Sequence, residues 1–214
     1  MVSRPYRSAR REQAAELTRR AILDAARQVF VARGYAGATI GAIAEAADVA
    51  VPTVYASIGG KAALLMALVD DIDEQRDVAG SEAALQSTTD PVEVLRIGVE
   101  VTRRINEGSG DIITLLDAAA RFEPEAAVAL EEGIRRHRAG CLGVARRLHV
   151  LGALPPNLDV EAAADTISIL TIFRVWRTLV SDYDWSWSTA AAWITKQVQL
   201  SLLPQAESHD ESGR

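Results

Sequence analysis

Residues 22–65 decide the fold, and they read ILDAARQVFVARGYAGATIGAIAEAADVAVPTVYASIGGKAALL. Apolar residues recur at helical spacing in the first part, and Gly34 stands where a left-handed C-terminal cap ends a helix. Thr39 can cap a second, short helix, and Pro52 suits the first turn of a third. The glycine pair at 59–60 ends that third helix. The stretch therefore predicts one long helix followed by two short ones.

The same reading extends to both ends of the chain. The first helix is expected from about residue 11 to residue 33, and Lys61 opens a fourth helix that continues to about Ile72. Further on, Asp90-Pro91-Val92-Glu93 combines a cap, a proline in the first turn and a glutamate three residues after the cap. This signal predicts a helix to Glu107, which Gly108-Ser109-Gly110 should end.

The rest of the chain continues the helical pattern. The predicted segments are residues 111–121, residues 124–151, a very apolar helix from Asp159 to about Val180, a loop at 181–188, and a last helix before Pro204. No alternating run is long enough for a confident strand, so we expect an all-α fold of about nine helices. The predicted domains are residues 1–62 (an arm and a three-helix helix-turn-helix) and 63–204, with residues 205–214 a disordered tail.

Length and composition are those of a globular protein. The chain has 214 residues, of which 49% are hydrophobic and 24% charged. No apolar run reaches the roughly 18 residues of a membrane span, and the arginine-rich start lacks the apolar segment of a secretory signal. Cys141 is the only cysteine, which excludes an intrachain disulfide and suits a reducing compartment. We expect a cytoplasmic protein with no membrane partner.

Charge is distributed unevenly along the chain. Residues 1–33 contain eight arginines and three acidic residues, a net charge of +5, although the whole chain carries −6. A basic end on an acidic body concentrates the positive potential that DNA phosphates attract. Arginines on a solvated helix face give the same pattern, so charge alone leaves both interpretations open.

The stretch at 22–65 resembles the DNA-binding domain of TetR-family repressors. Its matching motifs are I-L-x-A-A-x-x-x-F, G-Y-x-x-x-T, I-A-x-x-A-x-V-x, P-T-V-Y and G-K-x-x-L-L. The likeness covers roughly the first 70 residues, and beyond them only the length and the run of helices agree. The resemblance implies a sequence-specific transcriptional regulator, and most simply a repressor that a small ligand releases from its operator.

The resemblance also assigns DNA-contacting residues. The groove-facing residues are expected to be Val51, Pro52, Thr53 and Tyr55, and those near phosphates Thr39, Ser57 and Lys61. Valine and proline suit thymine methyl groups, threonine and tyrosine can donate hydroxyl hydrogen bonds, and a lysine at a helix N-terminus adds charge to free backbone amides. Arg10 and Arg11, with Arg4 and Arg7, form an arm that follows the backbone or reaches a minor groove.

The sequence departs from the family pattern at three places. Gly41 stands where a polar or basic residue is common, Ala50 replaces a serine-like cap, and Ala56-Ser57-Ile58 replaces a bulky aromatic sequence. The recognition surface is therefore poor in hydrogen-bonding groups. We expect specificity to depend on methyl contacts, on DNA shape and on the arginine-rich arm.

The C-terminal part is expected to bind a ligand and a second subunit. The helix from Asp159 to about Val180 is apolar on more than one face and must be covered on two sides. The resemblance implies both covers, a homodimer interface and a ligand cavity. The helix-turn-helix domains of the two subunits (residues 1–62 of each), here called reading heads, would bind a palindromic operator. The candidate cavity residues are Leu115, Leu116, Phe122, Phe173 and Trp176, which suit a hydrophobic or aromatic ligand, although each also suits a core role.

Other chemistries find little support in the sequence. His137 and Cys141 are four residues apart on one helix, a spacing that allows two metal ligands, but two are too few for a site. No phosphate-binding glycine loop, G-x-S-x-G or H-E-x-x-H motif occurs, so neither an enzyme nor a cofactor is expected. Two alternatives stay open: a helical carrier whose recognition helix no longer reads DNA, and an activator in place of a repressor.

Overall fold

The computed structural model describes residues 4–74 and 78–204, which form helices and connecting turns without a strand. The helices are α1 Arg4–Gly37, α2 Ile40–Ala46, α3 Val51–Ser57, α4 Lys61–Glu74, α5 Val78–Ser87, α6 Pro91–Ala119, α7 Pro124–Val150, α8 Val160–Thr171, α9 Phe173–Arg177 and α10 Trp187–Leu202, with a π-helical turn at Thr178–Asp182. If α8, α9 and the π turn are counted as one bent helix, these residues hold nine. The predicted all-α fold is confirmed, and the predicted tail at 205–214 lies outside the described residues.

The chain divides into two compact units. The first unit comprises Met1–Gln75 with Ser109–Gly133, and the second comprises Arg76–Gly108 with Ile134–Arg214. This division differs from the predicted boundary after residue 62, because the apolar side chains of α4 belong to the core of the first unit. Leu64 and Leu65 are fully buried there. A later part of the chain, which includes Ile112 and Leu116, adds to the same core.

The core of the first unit fixes its helices. Its largest fully buried side chains include Ile22 and Phe30 from α1, Ile43 from α2 and Val54 from α3. Each buried side chain of this size contributes about 1.5–3 kcal/mol relative to leaving it in water. The spacing of α1's apolar residues thus does what the sequence predicts, which is to present one continuous face to the short helices.

The helix boundaries in the first unit follow the predicted signals. Gly34 has φ +69° and ψ 167°, which ends the regular part of α1 at Arg33 even though the helix assignment runs to Gly37. The Thr39 side chain accepts a hydrogen bond from the Ala42 amide at 3.1 Å, as an N-cap does. Upstream, α1 begins at Arg4, well before the predicted residue 11.

The second unit has its own core around Trp176, Leu148 and Ile194. Within it α6 and α7 approach closely at Gly98, where an added Cβ would lie 2.9 Å from Val144 Cγ2. A glycine at this position allows the two helices to pack more tightly than any other residue would.

The prediction of the later helices is wrong at three places. A helix at Val78–Ser87 was not predicted, because its polar and small residues give a weak period. The break expected at Gly108-Ser109-Gly110 does not occur, and α6 continues through it. Two helical glycines cost only about 1 kcal/mol each, and burial of the apolar side chains of Val99 before them and Ile112 after them favours the continuous helix.

The third wrong prediction concerns the helix from Asp159. Asp159 caps α8 as predicted, since its carboxylate accepts from the Ala162 amide at 2.6 Å. The helix then breaks at Ile172, which has an extended ψ of 149°. Two side chains bond the carbonyls near the break: Trp176 Nε1 donates to the Thr171 carbonyl at 3.1 Å, and His137 Nε2 lies 3.2 Å from the Ser168 carbonyl. These partners make the break tolerable inside the core.

Candidate nucleic-acid interface

Helices α2 and α3 form a tight pair joined by a short turn. Asp48 adopts a positive φ of 53° in that turn, and the Val49 amide donates to the Ala44 carbonyl at 3.0 Å. Ala44 and Val54 are both buried between the helices and the core. Small and medium side chains at these contacts let the two helices cross closely, so that α3 can protrude as a recognition helix must.

The outer face of α3 carries most of the predicted groove residues. Val51, Pro52 and Tyr55 are exposed, and the Tyr55 side chain is 56% exposed. Thr53 is half-buried on the flank of this face, and Val54 is the buried member of the helix. The structure therefore brings the four predicted groove residues onto one short helix, with an apolar and aromatic surface directed outward.

The predicted phosphate contacts lie at helix ends. Thr39 is exposed at the start of α2, where its oxygen accepts the Ala42 amide while its hydroxyl hydrogen can still donate. Ser57 ends α3, and Lys61 begins α4. Between them the Ile58 and Gly59 amides both donate to the Val54 carbonyl, at 3.0 and 3.2 Å. This turn sets the direction of the chain from the recognition helix to Lys61.

Lys61 has a partner that was not among the predicted site residues. Its Nζ lies 4.3 Å from the centroid of the Tyr35 ring, and that ring stacks on Phe30 at a centroid distance of 5.6 Å. Burial raises the pKa of the Tyr35 phenol, with a smaller contribution from Glu125 and Glu123, so the ring is neutral at physiological pH. The aromatic residue after Gly34 was visible in the sequence, but nothing there indicated a contact with Lys61.

The arginines of α1 do two different things. Arg10 and Arg11 are exposed, as a phosphate-contacting arm requires. Arg20 instead pairs with Asp71 at 2.6 Å, and Arg27 makes two hydrogen bonds to Asp111 at 2.9 and 2.7 Å, which raise the pKa of Arg27. The second pair fixes α1 to the C-terminal half of α6. The basic charge counted in the sequence is therefore partly structural.

The predicted ligand residues are divided between the two units. In the first unit, Leu116 is buried, Leu115 is half-buried against the same core, and Phe122 is 85% exposed in the turn before α7. In the second unit, Phe173 is buried beside Arg174, and Trp176 is fully buried against Trp187. Their packing explains the burial of Leu116 and Trp176 by core contacts alone, and a ligand-lining role for all five stays a prediction.

A polar cluster lies within the second unit next to the α8 break. His137 Nε2 is 3.7 Å from Cys141 Sγ and 3.5 Å from Thr171 Oγ1. Burial lowers the pKa of His137 and raises the pKa of Cys141 to about 11. Both groups are thus neutral near pH 7. Across residues 4–74 and 78–204, no three His, Cys, Asp or Glu side chains are grouped so that they could hold a metal ion.

An open groove of about 610 Å³ lies between α6 and α10 in the second unit. Its lining residues are Arg96, Val99, Glu100, Arg103, Ser188, Ala191, Ala192 and Thr195. Arg96 pairs with Glu93 at 2.6 Å, and Arg103 pairs with Glu100 at 2.8 Å and with Glu107. None of the five predicted ligand residues lines this groove, whose wall combines three charged side chains with small polar and apolar ones.

Among the helices of residues 4–74 and 78–204, no single helix is long and apolar enough to cross a bilayer, whereas one pair, Val51–Ser57 with Lys61–Ile72 bent by 55°, meets those limits jointly.

Helices α1, α2 and α3 share a buried core, and α3 faces outward. This arrangement is the helix-turn-helix of DNA-binding regulators. Residues 22–68 match the family model described as "Bacterial regulatory proteins, tetR family". The "Probable HTH-type transcriptional regulator ArpR" and the HTH-type transcriptional regulator TtgR, both from Pseudomonas putida, are each 30% identical over 165 residues, covering 72% of this chain and 77% of theirs. The chain belongs to the TetR family of transcriptional regulators.

The fold agrees with solved structures of the same family. The transcriptional regulator FadR from Bacillus subtilis, solved in complex with stearoyl-CoA, has a TM-score of 0.69 and 18% identity, covering 83% of this chain and 96% of that one. Identity at this level supports the fold alone. The resemblance inferred from the motifs at 22–65 is confirmed, as is the expectation of a DNA-binding regulator rather than an enzyme.

Proposed function

We propose that the protein is a cytoplasmic repressor that binds a short palindromic operator as a homodimer and leaves it when a small, largely hydrophobic ligand binds. The observation that carries the DNA-binding half is the exposed face of α3. Val51, Pro52 and Tyr55 are surface residues on a helix whose other side is fixed by buried Val54. Within the described part of the chain these apolar and aromatic side chains stay exposed, and a major groove would cover them.

The chemistry of this face indicates how bases are read. Val51 and Pro52 offer methyl and methylene surface to thymine methyl groups, and the Tyr55 hydroxyl can donate to a phosphate or a base edge. Thr39 and Lys61 stand at the N-termini of α2 and α4, where free backbone amides also favour phosphate. Ser57, Arg10 and Arg11 add polar contacts around this surface.

A dimer is supported by the surface of the second unit. Helices α8 and α10 pack on each other, and both expose large apolar side chains: Ile169 at 67%, Trp193 and Leu200. Trp193 and Leu200 are seven residues apart and so share one face of α10. A second copy of this chain would bury that face and present two recognition helices to the two halves of a palindrome.

The ligand half of the proposal draws on composition and on a relative. FadR, which has the same fold, was solved with stearoyl-CoA, a ligand with a long apolar chain. In this chain the second unit has an apolar core, and a helix break next to Phe173. We propose that Phe173 and Trp176 of the second unit contact a hydrophobic or aromatic ligand; Leu115, Leu116 and Phe122 of the first unit stay separate candidates for such a contact.

DNA binding is tested by fluorescence anisotropy of the purified protein with labelled DNA from its own upstream region, unrelated competitor and a salt series. Saturable binding that survives competitor and weakens steeply with salt supports the proposal. Tyr55→Ala should weaken DNA binding, because it removes the proposed contact of the tyrosine with DNA. The fold should stay intact, because the side chain is exposed. Tyr183→Ala is the matched control, since Tyr183 is similarly exposed in the second unit. Equal binding by both variants would contradict the role of α3.

The remaining parts need separate measurements. A promoter fused to a reporter should be less active when the protein is present. Higher reporter activity would contradict the repressor proposal and indicate an activator. Ile169→Glu should convert a dimer to a monomer in light scattering, because a charge would enter an apolar interface. Hydrophobic compounds are then screened for release of the labelled DNA, and a failure of all classes would contradict the ligand half of the proposal.

A further inference from the structure

Lys61 occupies an unfavourable place for a cation. It is the first residue of α4, a helix of 14 residues, whose N-terminus carries partial positive charge from unpaired amides. An ammonium group at this end is repelled unless something offsets it. Lys61 is nevertheless half-buried, and its Nζ lies over the Tyr35 ring at 4.3 Å. An electron-rich ring face attracts the cation and thereby offsets the repulsion.

The Tyr35 ring is itself held in place. It is buried, it stacks on the fully buried Phe30 with an angle of 28° between the rings, and it belongs to the core of the first unit. Its backbone follows Gly34, whose positive φ ends the regular part of α1 and turns the chain towards α2. A fixed ring can hold a long lysine side chain, which otherwise loses rotational freedom when it binds a phosphate.

We propose that Tyr35 is a positioning residue for DNA binding: its ring holds the Lys61 ammonium at the start of α4, so that a DNA phosphate finds the cation and the free amides already in place. The inference rests on the proposed phosphate contact of Lys61. A phosphate relieves the crowding of two positive groups at this helix end, and preorganisation lowers the entropic cost of forming that contact.

The first test observes the contact directly in the free protein. The chain contains two lysines, Lys61 and Lys196, so selective carbon-13 labelling of the lysine ε-methylene gives two resolved signals. Lys196 is exposed on α10 and serves as the internal reference. The Lys61 ε-protons should be shifted upfield of those of Lys196 by the ring current of Tyr35. Indistinguishable shifts would overturn the proposal without any variant having to fold.

The second test measures operator affinity over a salt series in four variants. Tyr35→Phe keeps the ring and should bind as the original does. Tyr35→Leu should bind about two- to ten-fold more weakly per half-site, because the lysine side chain must then be ordered on binding, with a nearly unchanged salt slope because the charge remains. Ile22→Ala damages the same core about two helical turns away from Phe30 and controls for stability. Lys61→Met should weaken binding and reduce the salt slope by about one.

The outcomes separate the two levels of the proposal. If Lys61→Met weakens binding but Tyr35→Leu binds as well as Ile22→Ala does, Tyr35 has no positioning role. If Lys61→Met binds like the original protein, the phosphate contact itself is absent and the assignment of Lys61 fails. If Tyr35→Leu does not fold, the wild-type lysine shift and the behaviour of Tyr35→Phe still decide.

Discussion

Replacing Gly59 by alanine should damage the turn between α3 and α4, while the same change at the next residue should not. Gly59 has a φ of +122°, and a Cβ added there would lie 2.9 Å from the Ala63 Cβ. Gly60 has a φ outside the left-handed range, and its added Cβ would meet only Tyr55 Cε1 at 3.9 Å, an ordinary contact. Two adjacent glycines are thus expected to behave in opposite ways.

The size of the effect follows from the two costs at Gly59. A left-handed conformation costs a residue with a Cβ about 1–2 kcal/mol. Relieving the crowded contact with Ala63 costs a further amount, which in well-packed cores is typically about 1–3 kcal/mol. Together they should lower the free energy of unfolding by at least about 2 kcal/mol, roughly a thirty-fold change in the folding equilibrium. Gly60→Ala should change it by less than about 0.5 kcal/mol.

The assay is urea denaturation of both variants, followed by helical circular dichroism. Operator binding is then measured at a temperature where both remain folded. Gly59→Ala should also bind DNA more weakly, because this turn directs Lys61. Two variants with the same denaturation midpoint, or a larger loss at Gly60, would refute the account of this turn.

Three more predictions concern the second unit and α6. Trp176→Phe removes the indole donor to the buried Thr171 carbonyl and should lower the free energy of unfolding by about 1–3 kcal/mol in urea denaturation; an unchanged midpoint would contradict this. Burial raises the Cys141 pKa to about 11, so stability that is fully present below the unfolded pKa near 8.5 should be lost as pH rises towards 11. Cys141→Ala should flatten that loss, and a parallel decline of the two proteins with pH would contradict this. Gly98→Ala should destabilise the protein, because its added Cβ would lie 2.9 Å from Val144 Cγ2. At Gly108 an added Cβ would meet no described atom within 4 Å, so Gly108→Ala should stabilise α6 by up to about 1 kcal/mol. The reverse order of denaturation midpoints would show that the close packing at Gly98 is dispensable.

The reading head could be predicted from the sequence because local signals determine it. Thr39 acts through its side-chain cap, and Pro52 and Gly59 act through their own backbone preferences, all of which are local to these residues. The exposed side of α3 also follows from spacing, since Val54 is buried and its neighbours are not.

The later helices could not be predicted in the same way because distant contacts decide them. The glycines at 108 and 110 weaken α6 locally, yet burial on both sides of them keeps it continuous. The break at Ile172 has no glycine or proline, and it depends on donors from Trp176 and from His137, which is far away in the sequence. Sequence patterns contain neither the burial nor these partners.

The candidate sites show the same division. Residue types and motif spacing found Lys61 and the α3 face, but only the structure shows that Tyr35 lies under Lys61. Large apolar residues on the predicted central helices indicated ligand contacts, whereas the structure places Phe122 85% exposed in a turn. Hydrophobicity identifies side chains that favour burial, but it does not show whether the core, a ligand or a second subunit buries them.

The first unit is built from two separate stretches of chain, and this affects how the protein can be made and divided. A fragment ending near residue 75 would include the whole helix-turn-helix but lack Ile112, Leu116, Ala126 and Ala129, which complete its core. Because synthesis runs from the N-terminus, residues up to 75 are translated before residues 109–133, and the core that the two stretches share can be completed only when both have left the ribosome. The recognition helix is therefore translated before the core behind it is complete.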